Sequence, residues 1–242
     1  MIPEQRTSRA DLHMHTTASD GYATVREILD HVAQLGTLDV IAITDHDTME
    51  ASLWAYENRH NYPFDIIPGV EVSSRDGHVL AWWVVQPIPA NMSMAETVAA
   101  IHEQGGLAAV AHPFEPWVNA ARIRRYLSEP EVLLKAGVDA IEVHNAGAFL
   151  PRINWLARRL AHQLGLPIVG NSDAHSLAAI GSGSTYFAGR NAVDLRHALS
   201  TGTTSVEGES WPIADYLRLF RATIQSKSAA SLGKSMPLTR QM

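Results

Sequence analysis

The chain has 242 residues, 46% of them hydrophobic, with 12 histidines, no cysteine and a formal net charge of −6. This is the composition of an ordinary globular protein, and the absence of thiols excludes disulfides and thiolate metal sites, leaving nitrogen and oxygen as ligands for any metal. The acidic balance argues against a broad footprint on long nucleic acid but not against a small phosphate ligand.

The opening MIPEQRTSRA has no apolar run, so no secretory signal is expected there. In the following ADLHMH, His13 and His15 stand two residues apart and would share one face of a strand. Residues 24–36 (TVREILDHVAQLG) read as a helix, with Thr24 and Glu27 at capping-box spacing and Gly36 at its C-terminal end. DVIAIT, FDIIPGVEV, HVLAWWVV, LAAVAHP, DAIEVHN and LPIVGNSDA read as buried strands, and VLAWWVV is far too short to span a membrane. Further helices are expected over residues 94–105 and 150–165, each closing on a glycine.

Strand followed by helix, repeated six or seven times, implies a parallel sheet, and this length suits a closed or nearly closed α/β barrel. A doubly wound open sheet is the competing architecture. A single domain is expected over residues 1–220, with a polar C-terminal tail over 221–242 that is mobile or loosely docked. A soluble, cytoplasmic protein that does not enter the membrane is the default expectation.

His31, His60, His102, His162 and His197 fall in or beside helical segments and read as solvated or capping residues. The other seven, His13, His15, His46, His78, His112, His144 and His175, lie on or just after predicted strands. Acidic residues accompany them: Asp20 in the loop after His15, Asp45 and Asp47 around His46, Glu71 at the end of its strand, and Asp173 two residues before His175. In parallel α/β folds the carboxyl ends of different strands converge on one site, so residues scattered along the sequence can meet there.

Five motifs, DLHMHTTASDG, IAITDHDT, PGVEVS, AHP and GNSDAH, together resemble the polymerase-and-histidinol-phosphatase (PHP) family and occur in that family's order. The resemblance covers roughly residues 10–190. It implies a distorted seven-stranded (β/α) barrel, TIM-barrel-like, with two or three divalent ions (manganese, zinc or iron) at the carboxyl end of the strands. It further implies that His13, His15, Glu71 and Asp173 hold a first ion. Glu71 would bridge to a second, completed by His78 and His112, while Asp20, His46 and His175 would hold a third. Many relatives have histidine where this chain has Asp20.

Histidine and carboxylate ligands suit Zn²⁺, Mn²⁺ or Fe²⁺ alike. A hydroxide bridging two such ions is the expected nucleophile, and no serine elbow or thiolate competes for that role. Asp20 and His175 could assist protonation of the leaving group. Arg152 and His144 are candidate substrate contacts, Arg152 as a fixed positive charge for phosphate. The segment after His112 brings Trp117, Arg122, Arg124 and Arg125 towards the rim, though these arginines read better as the solvated face of a short helix. The expected activity is hydrolysis of a small phosphomonoester, nucleotide or sugar phosphate. Hydrolysis of an amide or lactone is the alternative, and a non-catalytic metal-stabilised module comes third.

Overall fold

The structure is a computed structural model and describes residues 7–115 and 120–216. The proposed tail at 221–242 and Trp117 lie outside the described residues. The strands are β1 (Thr7–Asp11), β2 (Val40–Ile43), β3 (Asp65–Ser74), β4 (Gly77–Trp82), β5 (Leu107–Val110), β6 (Ala140–Asn145), β7 (Ile168–Asn171), β8 (Gly183–Ala188) and β9 (Ser205–Gly208). The α-helices are α1 (Val25–Leu35), α2 (Glu50–Glu57), α3 (Met94–Glu103), α4 (Ala120–Ser128), α5 (Glu131–Ala136), α6 (Pro151–Leu164) and α7 (Ala192–Thr201).

Local chemistry fixes several helix ends. Thr24 and Glu27 form the reciprocal capping box at the start of α1, and Ser93 with Glu96 repeats it at α3. Each box satisfies two backbone N–H groups that the helix itself leaves unpaired. Gly36 and Gly165 end α1 and α6 in the left-handed conformation.

The nine strands follow the order β7-β6-β5-β4-β3-β2-β1-β8-β9. β1, β2 and β3 pair in parallel, as do β5, β6 and β7, while β4 is antiparallel to both its neighbours. This departs from the all-parallel sheet read from the sequence. Only Arg75 and Asp76 lie between the paired Ser74 and Gly77. A two-residue connection can make a hairpin, whereas a parallel return needs a crossover of about a dozen residues or more.

The first seven strands make the barrel. It closes beyond β1 and β7, where Met14 bridges Ala174 in parallel and the His15 N–H donates to the Ala174 carbonyl at 2.9 Å. At the other end β8 is wedged between them, pairing antiparallel with β1 and clasping Gly170 of β7 through the Thr185 hydroxyl. A Cβ on Gly170 would lie 2.9 Å from Val206 Cβ, so only glycine lets β9 approach β7 this closely. β8 and β9 are the two strands beyond the seven-stranded expectation.

The barrel interior is filled by small and large side chains in alternation, among them Ala10, Ala42, Ala109 and Ala140 against Leu12, Ile67, Leu80 and Trp82. Trp82 is fully buried, and its indole N–H donates to the Leu12 carbonyl at 2.9 Å. Two further apolar layers pack the helices on the outside of the strands. The interior is therefore a plug, and the polar cluster sits on top of it.

Candidate metal centre

Beyond the end of β1, His13 and His15 point into the cluster while Met14 packs outward among α1 and α2 residues. Glu71 projects from β3 and is bridged to His46, whose own strand β2 has just ended. His78 enters from β4, His112 follows β5, and Asp173 and His175 follow β7. His112 and Asp173 have positive φ angles of 26° and 52°, unfavourable for residues bearing a Cβ. Neighbours hold them there: Glu142 accepts from the His112 backbone N–H at 2.9 Å, and the Asn145 amide donates to Asp173 at 2.9 Å.

Glu71 is the hub. Its Oε2 lies 3.1 Å from His13 Nε2, 3.2 Å from His15 Nε2 and 3.1 Å from His46 Nδ1. Its Oε1 lies 2.8 Å from His78 Nδ1 and 3.1 Å from His112 Nε2. Asp173 Oδ1 is 3.2 Å from His13 Nε2 and 3.1 Å from His15 Nε2. Asp20 faces His175 at 3.2 Å, His15 at 3.7 Å and His46 at 3.8 Å. The nine residues singled out as ligands thus come together, in four overlapping groups each compact enough for one cation. His46 falls with Glu71 and His78 as well as with Asp20 and His175, and His15 joins the Asp20 group.

The donor chemistry fits metal ions. The outward nitrogens of three imidazoles are already engaged: His13 Nδ1 with Glu142 at 3.0 Å, His112 Nδ1 with Glu115 at 3.3 Å, and His175 Nδ1 with the Asp173 carbonyl at 2.9 Å. In a neutral ring each such bond puts the proton on Nδ1 and leaves the Nε2 lone pair facing the cluster. His46 Nδ1 and His78 Nδ1 are buried and, though close to Glu71, have no hydrogen-bond partner. Lone pairs and carboxylate oxygens converging without donors repel one another until cations separate them.

Without metal, protons take that part. Burial opposes charge on His13, but Asp173, Glu71 and Glu142 outweigh it and hold its pKa well above the usual value. His15 rises to about 9 and His112 to about 10, again against burial, through Asp173 and Glu71 for the first and Glu115 and Glu71 for the second. Burial would push the Glu71 carboxyl up, yet the surrounding histidines hold it well below the ordinary range. Asp20, beside His175, is lowered to about 2 despite its partial burial.

Exposure divides the cluster. The side chains of His13, His15 and Glu71 are fully buried, whereas Asp20 is 51% exposed and His46 30%. Solvent therefore reaches the centre from the Asp20 side. Asp45 ties down that side from behind, accepting from the Thr16 N–H and hydroxyl, both at 2.7 Å, and from Ser19. Asp47 accepts from the Ser73 N–H at 2.7 Å. Both act on the backbone and loop rather than within the cluster.

Three residues at the centre are absent from the sequence reading: Glu142, Glu115 and Asn145. A β-bulge between Glu142 and His144 explains two of them. It breaks the two-residue alternation, so Glu142 and Asn145 both face the cluster, and they hydrogen-bond each other at 3.0 Å. His144 is turned away, and its ring packs against Gly183 and Gly208. Arg152 is exposed in the first turn of α6, at the cluster end of the barrel. Of the α4 arginines, Arg125 pairs with Asp76 at 2.8 Å, Arg122 is half-buried beside Gly77, and Arg124 is exposed.

Comparison with known proteins agrees with this architecture. The family model described as PHP domain matches residues 11–130, and one described as PHP-associated matches residues 151–204. An uncharacterized protein of Methanocaldococcus jannaschii, MJ1587, is 30% identical over 149 residues, covering 57% of this chain and 82% of that protein. The 5'-3' exoribonuclease Rnm of Escherichia coli is 48% identical over 66 residues, 26% of this chain and 22% of the exoribonuclease. A two-domain protein from Bacteroides vulgatus, described as containing a predicted PHP-like metal-dependent phosphoesterase, has a similar fold. It superposes with a TM-score of 0.71 at 21% identity, over 86% of this chain and 68% of that one.

Proposed function

This chain belongs to the PHP domain family, and on that premise we propose that it is a metal-dependent phosphoesterase acting on a small phosphoester such as a phosphomonoester, nucleotide or sugar phosphate. The observation that carries the reading is the hub at Glu71, where five imidazole nitrogens converge on one buried carboxylate. His13, His15, Glu71 and Asp173 would hold one divalent ion, Glu71, His78 and His112 a second, and Asp20, His46 and His175 a third. Manganese, zinc and iron all suit this donor set. Such ions, when bound, acidify a water molecule at neutral pH and offset phosphate charge.

The protein's own groups supply the rest. Glu142 and Glu115 fix the tautomers and orientations of His13 and His112, so the ligand geometry is set before substrate arrives. Asp20 Oδ1 and His175 Nε2 lie 3.2 Å apart on the open side: with the third position unfilled they would share a proton available to the departing oxygen, and an ion bound there would take that proton's place. Arg152 offers an exposed positive charge at the same end of the barrel. The plugged interior blocks water from below, so substrate and water share the open Asp20 side.

A second reading, cleavage of a phosphodiester at the end of an RNA strand, is favoured by the stretch shared with the exoribonuclease. The test is metal stoichiometry on chain purified without chelator, with a panel of p-nitrophenyl phosphate, nucleotides, sugar phosphates, a 5'-labelled oligoribonucleotide, an amide and a lactone. Metal-dependent release from the small phosphoesters is expected. Turnover of the oligonucleotide alone would select the second reading, and turnover of only the amide or lactone would overturn both.

A further inference from the structure

Residues 209–216 lie beyond both matched family segments, yet they touch the outer part of the metal centre. Trp211 is buried, and its indole meets the His175 ring at 5.6 Å with 60° between the planes. His15 stacks on the same imidazole at 4.4 Å, so two rings fix one. The Trp211 indole N–H donates to the Ser172 carbonyl at 2.6 Å, and Asp215 accepts from the Ser176 hydroxyl at 2.7 Å. The loop that carries Asp173 and His175 is therefore tied on both sides to one short stretch of chain.

That stretch is itself anchored on the neighbouring loop. The Trp211 backbone N–H and the Tyr216 hydroxyl both donate to the Ala146 carbonyl, at 3.0 and 3.1 Å. A Cβ on Gly147 would stand 2.9 Å from the indole, so the loop after β6 makes room for the ring. His175 has one ring nitrogen bonded to the Asp173 carbonyl and the other facing Asp20. What remains to be fixed is the tilt of the ring, and Trp211 bears on that.

We propose that Trp211 is a positioning residue for the outermost metal site: it holds the His175 imidazole towards Asp20 and so sets the affinity of that site, with Asp215 securing the loop from the other side. This rests on the ligand set of the proposed function. The experiment strips the full chain of metal and titrates it with Mn²⁺, reading the number of ions and the dissociation constant of each. The wild-type chain is compared with Trp211→Phe and Trp211→Ala, and the melting temperature of each metal-free protein reports the fold.

The wild-type chain is expected to take three ions. Trp211→Ala should keep the affinity of the inner two and bind the outermost about ten- to a hundredfold more weakly, the usual cost of removing a residue that orients a ligand. Trp211→Phe should fall between, since a ring remains and the bond to Ser172 is lost. Equal affinity for the outermost ion in all three proteins overturns the proposal and leaves the metal centre intact. Loss of all ions together, with a parallel fall in metal-free melting temperature in both variants, also overturns it, because the indole then only fills space. Fewer than three ions in the wild-type chain overturns the outer site itself, a failure of the ligand set rather than of Trp211.

Discussion

The inner and outer parts of the metal centre are built by different means. The inner part (His13, His15, Glu71, Asp173 and His112) is buried, stands on or just beyond strand ends, and is braced by a further layer of Glu142, Glu115 and Asn145. The outer part (Asp20, His46 and His175) stands on loops and opens to solvent at Asp20 and His46, while His175 is as little exposed as Asp173. It is braced by Asp45, Ser19 and the stretch around Trp211, and the partly exposed His78 lies between the two parts. Ions bound in the inner part exchange one set of buried charges for another. On the proposed ligand set, an ion in the outer part would compete with water at the half-exposed Asp20. If the proposed ligand set holds, the contrast predicts tight inner and weak outer binding within a single cluster.

The substitution expected to do most damage is Glu71→Gln, which strikes the point where both inner ions would meet. Turnover should fall to background and metal content should drop, while circular dichroism stays that of the folded chain. Full activity would remove Glu71 from the ligand set and abolish the inner–outer distinction.

A smaller effect is expected from Glu142→Gln, which leaves every ligand in place but weakens the brace on His13 and the His112 backbone. Inner-site affinity should fall about ten- to a hundredfold, as is usual for groups that orient a histidine ligand. The outer ion should be unaffected. Equal weakening of all ions, measured by competition with a fluorescent chelator, would show that the two parts do not act separately.

The mildest effect is expected from pH on the metal-free protein. His15 and His112 have pKa values raised to about 9 and 10, from an unfolded value near 6.5. A raised histidine pKa stabilises the folded chain fully below about pH 6.5, and this is lost as pH rises through 9 to 10. Urea midpoints of the stripped protein should therefore decline across that interval. With metal bound these rings carry no such protons, so the loaded protein should lack the decline. An identical pH profile with and without metal would contradict this account of the inner part.

Much of this arrangement is legible in the sequence, for physical reasons. His13 and His15 two apart, and the acidic residues at strand ends, follow from a fold that gathers its chemistry at one end of a barrel. Six of the seven barrel strands, β2 to β7, are readable as short apolar runs, whereas β1 (TSRAD) is not and ends before the histidine pair expected on it. The direction of β4 was also readable, since the two residues at Arg75 and Asp76 cannot make a crossover. The bulge in β6 was not. Nothing local in AIEVHN distinguishes regular alternation, which would put His144 beside Glu142, from the bulge that puts Asn145 there instead. Glu115, too, gives no sign in sequence, because its partner nitrogen on His112 is defined only once β5 has ended and the chain has turned. β8 depends on pairing with β1 across most of the chain, which local composition does not encode, and β9 depends in turn on pairing with β8.

The bridge between Met14 and Ala174 joins segments 160 residues apart, and the ligands on either side of it come from those same two segments. An ion shared by His13, His15 and Asp173 is therefore a reversible cross-link across the largest loop in the barrel. Closing so long a loop is entropically costly and kinetically late, because non-local pairings are made only after their loop entropy has been lost. An ion held there would make opening of the seam conditional on release of metal. On the proposed ligand set, the residues that would carry the chemistry would also help to keep the barrel shut.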